Sequence, residues 1–518
     1  MIQKIIGVSG LVLLRGIRRA PLFAITLAPL VSAEFLEKTS ERLALASFHE
    51  TAEKVPAYRD FLSAHGLENH KQVKTIADFK EIVPVKDKES YIKRYPLDQR
   101  CIKEMHNSIM FTTSGGTTAE PILVNLQQNE TNLNEFRSLL HYTFKDYFSK
   151  RVLFINAFSQ GSWTAGVNAS SLFGGVAQDP KNNFSVVSPG LNAELTISII
   201  DRVGEFYDII LVAGCPSFLR LLYYEGVKRG LNWNAHKIVL FSGGESMAKF
   251  KHFFKDSFNI NPYTDLFNLY GATEAWPIGG STPLTYLVEE LYEQNPTHFS
   301  LNGAASFFQT VPFMSYLEEL DGELLITRDS KSTIMPLIRY KLSDAVKLYK
   351  YKEMENIWRN HFNVDPTVML KERGFSGAIL KLPFLAVKGR SDQSAIVVGV
   401  NVYPHDLTDA LNLAEDTLIN NFSFGLDGVE ERFVIYLELF PGVSISPSDL
   451  PSVTKKYHDL VVENLSKINI QWYEYYKAVP MADPIIKICA HGEGPFKDDH
   501  KRVKQQHLFT ESKSNRAE

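Results

Sequence analysis

Ser114-Gly115-Gly116-Thr117-Thr118, inside the stretch FTTSGGTTAEP, sets two adjacent glycines among three hydroxyl side chains. Glycines let several backbone N–H groups converge on an anion, and hydroxyls add donors at low steric cost, so the loop suits phosphate. The same composition also describes an ordinary turn. No Gly-Lys-Ser/Thr ends the loop, and the chain contains no G-x-S-x-G elbow of a serine hydrolase. Three further stretches bear on the choice. In FSGGESM, Gly243, Gly244 and Glu245 follow an apolar run, where small residues let a flat adenine ring lie against the backbone. FNLYGATEAW offers Tyr270 for stacking, then Gly271, Thr273 and Glu274, whose carboxylate suits a magnesium ion. IRYKLSD and KGRSD supply Asp344 and Arg390, an acceptor and a donor for ribose hydroxyls. Singly, each has a plainer reading: Glu274 as a surface carboxylate or helix cap, Asp344 as a turn residue. The specific feature is their order.

These residues need elements to carry them. From Ser40 to about Tyr95, apolar residues recur at three- and four-residue steps, with breaks near Pro56 and Gly66; this reads as a structural helical lead-in. Beyond the glycine loop, short β-rich runs (RVLFINAF, YDIILVAG, KIVLFSGG) alternate with helical stretches such as CPSFLRLLYYEGVKRG. That alternation implies a mostly parallel sheet covered on both faces, with any site at the carboxyl ends of its strands. From GELLITRDS to YKLSDAVKLYK helices thin out, predicting a smaller β-rich subdomain. The expected fold class is α/β: a large N-terminal domain of α/β sheets with that subdomain, residues 1–390, of which 1–100 are mainly helical. A small, mobile α+β C-terminal domain, residues 391–518, follows.

With 518 residues, 44% of them hydrophobic, there is material for a large core and more than one domain. Lys and Arg number 55 against 59 Asp and Glu, a net charge of -4, so no overall basic field exists to hold nucleic acid. Cys101, Cys215 and Cys489 form no C-x-x-C pair, which argues against a disulfide framework or a cysteine zinc site and fits the cytoplasm. The N-terminal IIGVSGLVLLRGIRRAPLFAITLAPLVSA has two apolar runs split by Arg15, Arg18 and Arg19 and ends on small residues, as an export signal does. Neither run reaches the roughly 18 residues of a membrane span. The favoured expectation is a pair of amphipathic helices, packed on the body or resting weakly at a membrane surface.

Taken in order, the motifs resemble those of the adenylate-forming superfamily of acyl-CoA synthetases, adenylation domains and luciferases, in its phenylacetate-CoA ligase-like branch. The family's T-[SG]-G-[ST]-T-G-x-P loop aligns with Ser114 to Pro121, G-[AG]-E with Gly243 to Glu245, and Y-G-x-[ST]-E with Tyr270 to Glu274. R-Y-[RK]-x-x-D aligns with Arg339 to Asp344, and G-R-x-D with its following G-V-N-V-[FY]-P aligns with Gly389 to Asp392 and Gly399 to Pro404. The resemblance spans roughly residues 45–505.

It implies an acid-thiol ligase that turns a carboxylic acid and ATP into an acyl-adenylate and pyrophosphate. The acyl group then passes to coenzyme A or to the phosphopantetheine of a carrier protein. Transfer to an amine or protein acceptor, and a nucleotide-binding subunit without turnover, are the alternatives. By the resemblance, Ser114 to Thr118 wrap the β- and γ-phosphates, Glu274 holds Mg²⁺, and Gly243, Gly244, Glu245 and Tyr270 with Gly271 and Thr273 line the nucleotide pocket. Asp344 and Arg390 fix the ribose, and Asp392 is the hinge on which the C-terminal domain turns. Phe158, Trp163 and Trp276 are the candidates to flank the acid, although aromatics more often pack a core. Relatives are often homodimers.

Two departures stand out. Ala119 replaces the loop's last glycine, and the family's C-terminal lysine position falls on Asp499, whose carboxylate would repel phosphate. Either the role passes to a neighbour, Lys501 first and Lys497 next, with Lys504 and Lys487 as further candidates, or the first step is compromised.

Overall fold

The computed structural model describes residues 29–497 apart from 30, 103, 105–109, 114–120, 125–141, 143–148, 162, 179–181, 246, 248–249, 276, 302–304, 313, 329–332, 391–393, 412–417, 428–430 and 441. Ser114, Gly115, Gly116, Thr117, Thr118, Trp276, Asp392, Lys501 and Lys504 therefore lie outside the described residues, as does the apolar segment 1–28.

The strands in chain order begin with β1 (Met110–Thr113), β2 (Pro121–Val124), β3 (Val152–Asn156), β4 (Phe184–Val187), β5 (Ile209–Gly214) and β6 (Ile238–Gly243). There follow β7 (Leu266–Tyr270), β8 (Gly279–Gly280), β9 (Ser306–Thr310), β10 (Ser315–Leu320), β11 (Glu323–Arg328), β12 (Tyr340–Tyr349) and β13 (Phe384–Arg390). The last five are β14 (Ala395–Val397), β15 (Val400–Val402), β16 (Ile419–Asp427), β17 (Arg432–Leu439) and β18 (Ile485–Cys489). Eleven of them form one sheet in the order β10-β11-β12-β13-β9-β8-β7-β6-β5-β3-β4. The β4-β3-β5-β6-β7 half is parallel and the remainder antiparallel. Every residue of β3, β5 and β6 is buried, which is why these strands read as continuous apolar runs and not as alternating ones. The crossover helices Thr164–Gln178, Ala193–Val203 and Pro216–Lys228 lie between them in the chain.

One expectation changes. The β-rich stretch beginning at Glu323 is no separate subdomain: β11, β12 and β13 continue the main sheet through β9. Nothing interrupts backbone pairing between the parallel and antiparallel halves, because β8 and β9 bridge them.

The helical lead-in packs Phe48, Tyr58, Phe61 and Phe79 into a core shared with Leu324, Ile326 and Ile338 of the antiparallel half. It is also stitched there by backbone. Lys86 N–H donates to the Arg339 carbonyl at 3.2 Å, and the Lys86 carbonyl accepts from Lys341 N–H at 2.8 Å, bracketing Tyr340 at the start of β12. Toward the C terminus β16, β17 and β18 form a three-stranded sheet, accompanied by the helices Pro404–Leu411, Leu450–Ile468 and Ile470–Ala478. Its apolar core, which includes Phe422, Phe433, Tyr457 and Trp472, also takes in Ala157 and Cys215 from the main sheet's strand ends and Phe218 from the helix Pro216–Lys228. The three cysteines are free thiols, and among the described residues no helix is long and apolar enough to cross a membrane.

Candidate active site

Parallel strands in register deliver their carboxyl ends to one edge, and β3, β5, β6 and β7 do so side by side. β6 ends at Gly243; Gly244 then turns with φ +85°, a left-handed conformation that suits glycine, and Glu245 follows. β7 ends at Tyr270, after which Thr273–Ala275 form a short 3-10 turn carrying Glu274. From the antiparallel half, β12 brings Asp344 to the same edge. Its backbone pairs directly with Arg390 of β13, the other residue expected at the ribose. A 2.6 Å hydrogen bond from the Tyr270 hydroxyl to Asp344 Oδ2 joins two motifs that are 74 residues apart in sequence.

Beside them lies a cavity of about 760 Å³. Gly243, Gly244, Glu245, Tyr270, Gly271, Thr273, Glu274 and Asp344 all line it, and so do Phe158 and Trp163 from the loop after β3. Ten residues chosen from sequence thus share one wall system. Arg390 is next to it through its neighbour Gly389, which lines the cavity. Lys497 does not line it; this side chain is exposed just beyond the Gly494–Phe496 turn. Lys487 sits on β18, where its ammonium donates to Asp427 at 2.6 Å and to the Tyr436 hydroxyl at 3.2 Å; the Asp427 bond holds its pKa above the usual lysine range.

Arg339, the first residue of the ribose motif, has a structural task. It is buried and in a left-handed conformation, φ +43°. Its guanidinium reaches Glu318 at 3.1 Å and the Val83 carbonyl, locking the lead-in onto β12. Burial pushes the Glu318 carboxyl up, and the Arg339 charge opposes that.

The sequence reading missed two sets of cavity residues. Asp87, Lys88, Glu89 and Lys93 bring the lead-in, read as purely structural, to the cavity wall. Cys215 from the main sheet, with Gly399, Asn401, Tyr403, Gln471 and Tyr475 from the C-terminal elements, supplies another side. The G-V-N-V-Y-P motif pointed at the first three of those C-terminal residues; nothing local marked Gln471 or Tyr475.

The donor set bears on a metal. Among the described residues no group of three or more His, Cys, Asp or Glu side chains is arranged to hold an ion. A single carboxylate such as Glu274 suits Mg²⁺, which is commonly held by one or two carboxylates together with substrate phosphates, and does not suit a cation caged by protein.

No protein-family model matches the chain, and no curated protein matches it in sequence. Solved structures do match in fold. 2-Hydroxyisobutyryl-CoA ligase in complex with 2-HIB-AMP and CoA, in its thioesterification state, aligns with a TM-score of 0.65 at 13% identity, covering 93% of this chain and 91% of the ligase. Its postadenylation state, in complex with R3-HIB-AMP, gives 0.54 at 13% identity over 94% and 92%. An open conformation with 2-HIB-AMP and CoA gives 0.53 at 12% identity over 93% and 93%. Over nearly its whole length, then, the chain shares the fold of that CoA ligase.

Proposed function

We propose that this protein is an ATP-dependent acid-thiol ligase of the phenylacetate-CoA ligase-like branch. The observation that carries the reading is the single cavity in which the Gly243–Glu245, Tyr270–Glu274 and Asp344 motifs meet residues from the C-terminal elements. Its volume lies within the range of about 300–1,000 Å³ usual for small-molecule sites.

A carboxylate is a poor electrophile because its oxygen leaves badly. Attack of the acid's oxygen on the α-phosphorus of ATP expels pyrophosphate and leaves the acyl group on AMP, a good leaving group. A thiol then attacks the acyl carbon and AMP departs. Both steps ask the protein mainly for positioning and charge neutralisation. In this reading Ser114, Gly115, Gly116, Thr117 and Thr118 hold the β- and γ-phosphates, and Glu274 holds the Mg²⁺ that neutralises them. Gly243, Gly244, Glu245, Tyr270, Gly271 and Thr273 form the adenine side, and Asp344 and Arg390 take the ribose. Phe158, Trp163 and Trp276 flank the acid. Asp392 is the hinge, and Lys501 or Lys497 reaches the α-phosphate when the C-terminal elements turn. A thiol acceptor is supported by the ligase of like fold, seen with an acyl-AMP and CoA together. Its thioester-forming arrangement matches this chain better than the other two states do.

Acid-dependent ATP–pyrophosphate exchange over a panel of aryl, alkyl and amino acids tests the first step, and AMP release with CoA, a carrier protein or an amine tests the second. The expected result is exchange with one acid class and AMP release that needs a thiol. Bound ATP with no exchange for any acid would overturn the ligase reading, and amine-dependent release would overturn the thiol.

A further inference from the structure

Among the described residues, Tyr475 is the one phenol that the C-terminal helices contribute to the cavity wall. Its helix, Ile470–Ala478, is anchored three residues earlier by the fully buried Trp472, and Tyr475 itself is buried in the core shared with Ala157, Cys215 and Phe218. Ser159, Cys215 and Glu245 line the same cavity, and the Ser159 backbone, the Cys215 thiol and the Glu245 carboxylate all act electrostatically on its hydroxyl. Those three residues follow the carboxyl ends of β3, β5 and β6, which are adjacent in the sheet. One side chain from the C-terminal elements therefore shares a cavity wall with the residues that follow three neighbouring strand ends.

The same spot holds the tip of the β14–β15 hairpin. A Cβ placed on Gly399 would sit 3.5 Å from Cys215 Cβ and 3.7 Å from Glu245 Oε1, and the Cys215 thiol faces the Val398 carbonyl at 3.9 Å. An acceptor that reaches an acyl-AMP between the two groups of elements passes this seam. Apolar packing alone brings surfaces together without fixing their orientation. A buried hydroxyl set among polar groups of the facing surface fixes it, because displacement costs that polar contact.

We propose that Tyr475 is a positioning residue that keys the C-terminal elements onto the strand ends in the geometry for acyl transfer. The proposal rests on the two-step ligase reading. It assigns Tyr475 to the second step and not the first, for which the C-terminal elements turn away.

The test compares two rates in full-length protein: acid-dependent ATP–pyrophosphate exchange, and single-turnover thioester formation from preformed acyl-AMP and CoA. In Tyr475→Phe, which removes one oxygen and keeps the ring, the ratio of thioester formation to exchange should fall about tenfold, as expected for one buried polar contact. Tyr475→Ala should lower it further, and circular dichroism checks that each variant is folded. Both rates falling in proportion would mean that Tyr475 only supports the fold, and an unchanged ratio in Tyr475→Phe would remove the hydroxyl's role; either overturns the proposal while leaving the ligase reading intact. Wild-type protein without exchange or thioester for any acid would instead overturn the ligase reading, and the proposal with it.

Discussion

Replacing Gly399 by cysteine places a second thiol opposite Cys215, across the seam between the C-terminal elements and the main sheet. The Cβ–Cβ distance would be 3.5 Å, at the short edge of the range of about 3.5–4.5 Å found in disulfides. Gly399 has φ +82°, so a cysteine there costs about 1–2 kcal/mol. Bridging residues 184 apart removes chain entropy worth about 5 kcal/mol from the unfolded state, which exceeds that strain. The oxidised protein is then held in the present arrangement. If adenylation needs the C-terminal elements to turn away, only unbridged molecules exchange ATP with pyrophosphate, and a sample about nine-tenths bridged loses about tenfold of its exchange. Thioester formation from added acyl-AMP should persist, because the docked geometry is the one proposed for that step. Thiol titration gives the bridged fraction, a phosphine reductant should restore exchange, and Gly399→Ser reports the strain without the bond. Full exchange in fully bridged protein would refute the two-geometry reasoning. Failure of the bond to form under oxidation would refute the seam itself.

Two further predictions concern single carboxyl groups. Asp344→Asn removes the charge that accepts from Tyr270 and, in the proposed reading, from the ribose; the loss of a charge-assisted bond should raise the KM for ATP about 10- to 100-fold, read from exchange kinetics, and an unchanged KM would move the ribose elsewhere. Glu289 is buried beside Lys251, and burial, only partly offset by that ammonium, pushes its carboxyl from 4.5 up to about 7. Between those values the folded protein binds more protons than the unfolded chain, so stability falls as pH rises through the window, by a total on the order of 3 kcal/mol. Urea unfolding of Glu289→Gln at pH 5 and pH 8 should show a shallower fall than wild type; an equal fall would mean that another group titrates.

What the sequence made legible follows from where the chemistry sits in the chain. Gly243 to Glu245 and Tyr270 to Glu274 are contiguous stretches directly after β6 and β7, so strand pattern and motif coincide in one window, and in-register pairing brings them to one edge. Asp344 was legible as a motif residue, but its neighbourhood was not: the β-rich text around it carries no mark of whether β11 and β12 close on themselves or join a larger sheet, since pairing partners are set by contacts distant in sequence. Asp87 to Lys93 looked like the end of a helical scaffold because the two backbone bonds around Lys86 that dock it beside Tyr340 leave no trace in side-chain types. Tyr475 was hidden for another reason. Within QWYEYYKA, Trp472 and Tyr475 are three residues apart on one helix face, the ordinary spacing of core aromatics, and only docking of that face shows that one of them meets the strand ends.

The β14–β15 turn bears on which arrangement this seam is built for. Val398 and Gly399 both have left-handed φ, +50° and +82°, as a two-residue hairpin turn with the favoured twist requires. Glycine fits such a turn, whereas a β-branched residue there is an outlier at a cost of about 1–3 kcal/mol. Asparagine would form the same turn with less strain. The valine side chain is buried in the core shared with Ala157, Cys215 and Phe218, and burying a valine contributes about 1.5–3 kcal/mol, enough to offset the strain only while the hairpin stays docked. If the C-terminal elements turn away, as the proposed two-step reading requires, that contact is lost and the strain remains, so the turn sequence favours the docked state. In that reading, departure toward adenylation draws on the binding of ATP and acid, and the return toward acyl transfer is favoured by Val398 and, as proposed, oriented by Tyr475.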